Sequence, residues 1–243
     1  MTRTLRQPAS AIPPLVFPTM LMAVNAGGLR ASTLLPGFPT HSFLAFALAV
    51  PFIQGALFST INAGTDLARD IQTGFFSRLA LTPMRGSALL AGQLAGIILL
   101  GVLQAVFYIA TGLLLGVRFA SGPGGIALLL VYAALVALGF GALGSFLALR
   151  TGSGESVQGL FPVLFVFLFI SSMNTPRNLI AVDWFRTLAT LNPVSYLIEC
   201  VRGLIITGWD GQALALGFGI AAAIAVVFLA AASWALGQRL ERT

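Results

Sequence analysis

The stretch Ala213-Leu-Ala-Leu-Gly-Phe-Gly-Ile-Ala-Ala-Ala-Ile-Ala-Val-Val-Phe-Leu-Ala-Ala-Ala-Ser-Trp-Ala-Leu236 carries no charge, and its only polar groups are the Ser233 hydroxyl and the Trp234 indole. About 20 apolar residues in a helix cross the roughly 30 Å hydrocarbon core of a bilayer, so this stretch is long enough to span one. The rest of the chain is built from the same material. Of its 243 residues, 58% are hydrophobic and 8% charged, against about 25% charged in soluble domains. Too little charge is present to solvate a water-facing surface, so the apolar content must face lipid.

Applied along the chain, the length rule predicts an all-α integral membrane protein with six transmembrane helices. They lie at about 11–29, 42–64, 87–117, 125–149, 157–174 and 213–236, within a single transmembrane domain covering 1–243. The first contains Pro13, Pro14 and Pro18; Pro51 and Pro162 are expected to kink the second and fifth. Arg3 and Arg6 precede the first apolar stretch as in a signal peptide. The small-residue cleavage pattern that follows is weak, and further spans come after it, so it is read as a membrane helix.

Basic residues favour cytoplasmic loops. With the N-terminus inside, Arg3, Arg6, Arg69, Arg78, Arg85, Arg150, Arg239 and Arg242 are cytoplasmic, and Arg30, Arg118, Arg177, Arg186 and Arg202 are outside. That 8-to-5 bias places both termini in the cytoplasm. The net charge of +6 comes from arginines scattered singly between apolar blocks, which argues against a nucleic-acid partner. Cys200 and His41 are each unique, so no intrachain disulfide and no multi-histidine metal site is expected. The seven acids, Asp66, Asp70, Glu155, Asp183, Glu199, Asp210 and Glu241, form no catalytic constellation with a histidine. The chain also contains no lysine, and a phosphate-binding loop requires one. No cofactor is expected on this chain.

Two connections are too long to be turns. The first reads Thr65-Asp-Leu-Ala-Arg-Asp-Ile-Gln-Thr-Gly-Phe-Phe-Ser-Arg-Leu-Ala-Leu-Thr-Pro83. Asp66 and Asp70 share a helix face. Gly74 is a flexible point; Phe75, Phe76 and Leu79 form an apolar ridge beside Arg78, and Thr82-Pro83 stops the helix. The expected product is a short amphipathic helix at the inner membrane surface. It either anchors the loop in the interface or plugs into a groove on a cytoplasmic partner.

The second connection contains Leu191-Asn-Pro-Val-Ser-Tyr-Leu-Ile-Glu-Cys-Val-Arg-Gly-Leu204. Asn192 is a good N-cap and Pro193 suits a first turn, which predicts a helix over about 193–206. Glu199 and Arg202, three apart, can pair within it, and Trp184 and Trp209 flank it as interfacial anchors. The preferred reading is a pair of short re-entrant or surface helices on the outer face; the alternative is a seventh span over about 190–207.

The order of acid, Gly74, apolar pair, Arg78-Leu79 and Thr82-Pro83 resembles the coupling loop of ABC transporter permeases of the type 2 exporter class, which includes daunorubicin-resistance-like drug pumps. That loop usually has an aliphatic pair where Phe75 and Phe76 stand, and often an acid at the place of Arg78. Asn192, Pro193, Tyr196, Arg202 and Gly203 resemble the family's motif before the last helix. Family members also carry an amphipathic helix ahead of the first span, for which ten residues leave little room, so a shortened start is expected.

The resemblance implies a permease that moves an apolar or amphipathic compound outward across a bacterial inner membrane. It implies an ABC ATPase subunit that binds ATP and Mg on a separate polypeptide and docks on 65–86, and a second permease chain, identical or homologous. Gln54, Asn62 and Gln104 are the notable polar groups within the spans; they either join helices or line the substrate path. The rival readings are a secondary transporter or small channel without an ATPase, and a scaffold that recruits a cytoplasmic protein.

Overall fold

The computed structural model describes residues 8–74 and 86–240, which form helices joined by loops, with no strand among them. In order these are α1 (Pro8–Gly28), α2 (Phe43–Ala47), α3 (Ala49–Gln72), α4 (Gly86–Leu114), α5 (Gly122–Thr151), α6 (Gly154–Gln158), α7 (Leu160–Phe169), α8 (Asp183–Leu191), α9 (Pro193–Arg202) and α10 (Gly211–Leu240). Single 3-10 turns occur at Arg30–Leu34 and Arg177–Leu179, and a π turn at Gly203–Thr207 extends α9.

Four helical runs are long and apolar enough to cross a membrane: Phe43–Gln72, Leu90–Leu114, Gly122–Thr151 and Gly211–Leu240. Two shorter apolar runs, Ile12–Gly28 and Gly154–Phe169, lie where the first and fifth spans are predicted. Two boundaries differ from expectation. The helix predicted to end near 64 continues to Gln72, so Asp66 and Asp70 ride on the end of α3 and not on a separate surface helix. The helix predicted to reach 174 stops at Phe169. At 1.5 Å per residue, Gly154–Phe169 is about 24 Å long, short of a roughly 30 Å hydrocarbon core.

Prolines set where the helices break. The α2–α3 break at Leu48 lies three residues before Pro51, and the α6–α7 break at Gly159 three residues before Pro162. In each case the ring removes an N–H and crowds the carbonyl four residues back. Pro18 likewise leaves the Pro14 carbonyl of α1 without its helical donor. The buried Tyr108 hydroxyl of α4 donates to that carbonyl instead, which is how a proline-broken helix is tolerated in lipid.

α3 is the most enclosed of the long helices, and α10 the least. α3 crosses α5 almost backbone to backbone: a Cβ on Gly144 would lie 2.2 Å from the Thr60 carbonyl oxygen, and one on Gly64 would lie 2.7 Å from that of Gly144. Val157 of α6 closes the same crossing from the other side. Among the α4 glycines, Gly112 packs against Leu48, whereas Gly92 and Gly96 face open space among the described residues.

Candidate functional site

At one end of the bundle, α9 is the organising element. Its Asn192 caps it, the side-chain oxygen accepting from the Val194 N–H at 2.9 Å. The amide of the same residue donates to the carbonyls of Phe167 and Ile170, at the end of α7. Those carbonyls are the orphans a helix leaves at its C-terminus. Ser195 Oγ accepts from the Ser172 N–H at 3.1 Å, and Tyr196 donates its hydroxyl to the Thr190 carbonyl at 2.9 Å.

Arg202 lies inside this end, 6% exposed. Its Nε donates to the Phe46 carbonyl at 3.2 Å, its Nη1 to Ser172 O and its Nη2 to Met173 O, both at 3.0 Å, and the guanidinium lies 3.5 Å from the centre of the Phe46 ring. One cation thereby joins α9, the start of the α2–α3 run and the chain after α7. The expected Glu199–Arg202 pair is replaced: Glu199 binds Arg177 of the intervening turn. Arg202 points into the protein, where carbonyls satisfy it, while Glu199 is on the half-buried side. Partial burial pulls the Arg177 guanidinium pKa down, but the Glu199 carboxylate and Tyr196 outweigh it and hold the pKa above its ordinary value. Arg177 also stacks 4.4 Å from the Tyr196 ring centre.

The far end of α9 is closed by the α4–α5 connection. Ala120 N–H donates to Ile205 O, and Ser121 donates to Leu204 O through both its N–H and its hydroxyl. Tyr132 of α5 reaches the Leu197 carbonyl at 3.3 Å. Nearly all of 194–205 is buried, and Trp184 and Trp209 stand exposed on either side.

At the opposite end, α3, α5 and α10 finish together. Gln72 Nε2 donates to the Gly152 carbonyl at 3.0 Å, Arg239 Nη1 to Leu149 O at 2.7 Å, and Arg150 Nη1 to Gln238 Oε1 at 3.2 Å. Thr73 ends α3, and Gly74 leaves it in the left-handed region at φ +70. Asp66 is exposed and Asp70 half-buried on this last stretch. Phe75, Phe76, Arg78, Leu79 and Pro83 lie outside the described residues.

Between the ends, Gln54, Phe58 and Asn62 follow one another at helical spacing along one face of α3. Gln54 is 0% exposed, and neither its Oε1 nor its Nε2 has a hydrogen-bond partner; Asn62 is exposed. The Phe58 ring meets Phe17 of α1 and Phe161 and Phe165 of α7, with ring centres 5.3–6.0 Å apart. Gln104 belongs to a different contact: its Oε1 accepts from Ser59 at 3.3 Å and joins α4 to α3. No group of three or more metal-ligating side chains occurs among the described residues.

Local spacing identifies the Asn192 cap but not its second role on α7; it marks Arg177 only as an outer basic residue and gives Ser195 no role. The available signal was a length deficit: an apolar run that stops short inside lipid needs donors for its last carbonyls.

Residues 1–206 match the family model described as ABC-2 type transporter. The chain is 30% identical over 222 residues to the daunorubicin resistance ABC transporter permease protein DrrB1 of Streptomyces coeruleorubidus, covering 87% of this chain and 74% of that protein. It is 27% identical over 211 residues to a probable doxorubicin resistance ABC transporter permease protein, DrrC, of Mycobacterium tuberculosis, covering 86% and 74%. A putative transport permease, ycf38, of Porphyra purpurea is 26% identical over 209 residues, covering 84% and 71%. A multi-pass helical frame and these likenesses lead to one conclusion: the chain belongs to the ABC-2 type transporter family and is a membrane permease subunit of an ABC transporter.

Proposed function

We propose that this permease exports an apolar or amphipathic, drug-like or lipid-like compound from a bacterial cytoplasm, driven by ATP and Mg bound in a separate ATPase subunit. In this reading the chain crosses the inner membrane six times, with both termini in the cytoplasm. The Gln72–Arg239 end faces the cytoplasm and the Arg202 end faces outward. α8 and α9 form a re-entrant element that completes the thickness α7 leaves uncovered. Two permease chains, identical or homologous, face each other across the substrate path.

The observation that carries the reading is the length of the Phe43–Gln72 run. At 1.5 Å per residue it measures about 45 Å, roughly 15 Å more than the hydrocarbon core. The excess carries Asp66 and Asp70 beyond the apolar region, and Phe75, Phe76, Arg78, Leu79 and Pro83 follow in sequence. An apolar pair next to charges at that point of the sequence suits insertion into a groove of the ATPase. The substrate path is lined by the Gln54–Phe58–Asn62 face of α3 with Phe17, Phe161 and Phe165, which suits a flat apolar compound carrying one hydrogen-bonding group. Gln104 serves as a tie between helices.

Co-expression with the ATPase encoded beside it, followed by affinity purification, tests the assignment. The intact chain retains the ATPase, and Phe75→Asp combined with Phe76→Asp loses it while inserting normally into the membrane. Undiminished ATPase retention by the doubly substituted chain overturns the docking assignment.

A further inference from the structure

The contact between the α3 end and its neighbours specifies where a push from the ATPase would go. Gln72 is the last residue of α3, and the carbonyl it holds belongs to Gly152, the residue that ends α5 in the left-handed conformation. That carbonyl has no donor within α5. Two residues later α6 begins, capped by Ser153, and its Val157 is wedged against Gly64 of α3. Arg239 of α10 fixes the same corner from the other side: it holds the Leu149 carbonyl, and a Cβ on Gly152 would stand 3.1 Å from its Nη2. The corner therefore ties the end of α3 and the end of α10 to the same turn of chain after α5. Its one continuation is α6, which breaks at Gly159 and becomes α7, the helix bearing Phe161 and Phe165.

We infer that the Gln72–Gly152–Arg239 corner is the transmission point of the transporter: displacement of the α3 end is handed to the α5–α6 turn and swings α7 about Gly159. Gln72 and Arg239 are positioning residues for transport, touching neither substrate nor nucleotide. The inference rests on the reading that the ATPase engages the segment after α3. It adds the route by which that engagement reaches the phenylalanine-lined face.

The test uses the full chain purified with its ATPase and a fluorescent maleimide on Val163→Cys, an exposed position on α7; the native Cys200 is buried and does not compete. Addition of ATP and vanadate shifts the probe signal in the otherwise unsubstituted complex. Gln72→Ala reduces the shift about threefold and Arg239→Ala about tenfold, because the first removes an exposed neutral hydrogen bond and the second removes a charge-assisted contact. ATPase retention and basal ATP hydrolysis stay within about twofold of the parent, and Arg239→Lys restores most of the shift, since an ammonium can still donate to one carbonyl. Gln72 is exposed, so its variant folds even where Arg239→Ala does not. A full shift in Gln72→Ala, or no shift in the parent complex with the ATPase bound, overturns the inference. Failure of the parent chain to retain the ATPase overturns the docking assignment instead, which keeps the two results distinct.

Discussion

At the Arg202 end, side-chain donors reach backbone carbonyls in places closed to water; at the Arg239 end, similar donors reach similar carbonyls at an exposed or half-exposed surface. In both places a short or terminating helix leaves orphan acceptors that polar side chains satisfy. The difference lies in the competitor. Where water is excluded, an acceptor without its donor has no substitute, so the contact is worth far more than in solvent. At the exposed end water can take over, and the contact is cheap to break and remake. The comparison implies a stiff Arg202 end and an adaptable Arg239 end, which suits the proposal that the transporter is driven from the latter.

The largest effect that can break this comparison is at Arg202. Arg202→Ala orphans three buried carbonyls and is expected to destabilise the chain by about 3–5 kcal/mol, as for breaking a buried charged contact. The readout is thermal unfolding in detergent, with Arg202→Lys recovering only part because one ammonium cannot replace a planar fork. Full stability of Arg202→Ala would show that this end is not held in this way.

Next in size is Asn192, where two roles can be separated. Asn192→Ala removes the cap of α9 and both donations to α7, about 2–3 kcal/mol in total. Asn192→Asp keeps the acceptor for Val194 N–H and loses the donations, so its loss is expected between wild type and alanine in the same melting experiment. Equal losses for both would place the whole effect on α7.

The smallest effect belongs to the Arg177–Glu199 pair, whose side chains are about one-quarter exposed. Arg177→Gln and Glu199→Gln should each change stability by no more than about 1 kcal/mol, with a small coupling in the double-mutant cycle and a dependence on salt. A coupling as large as the Arg202 effect would mean the stiff region extends out to the rim.

Much of this architecture was legible in composition and spacing. Apolar length located the four long helices because burial in lipid is nearly independent of tertiary detail. Asn192-Pro193 located the start of α9 because cap and first-turn chemistry are local. Nothing in the sequence stops the fifth helix before 174, because Ile170, Ser171 and Ser172 are no less compatible with a span than with a turn. What ends that helix is Asn192, some twenty residues away. Arg202 was paired with Glu199 because spacing within one helix is visible in sequence, whereas carbonyls of Phe46, Ser172 and Met173 are not. The site residues Gln54 and Asn62 share a face by spacing alone, but the phenylalanines across from them come from α1 and α7. Their meeting depends on packing that no local pattern records.

Inverted membrane vesicles carrying the chain together with its ATPase test the central claim, ATP-driven export, most directly. Accumulation of a lipophilic fluorescent compound inside such vesicles is predicted to require ATP, to survive a protonophore, and to disappear with Phe75→Asp and Phe76→Asp. Accumulation that continues without ATP, or that collapses when the proton gradient is dissipated, would contradict it.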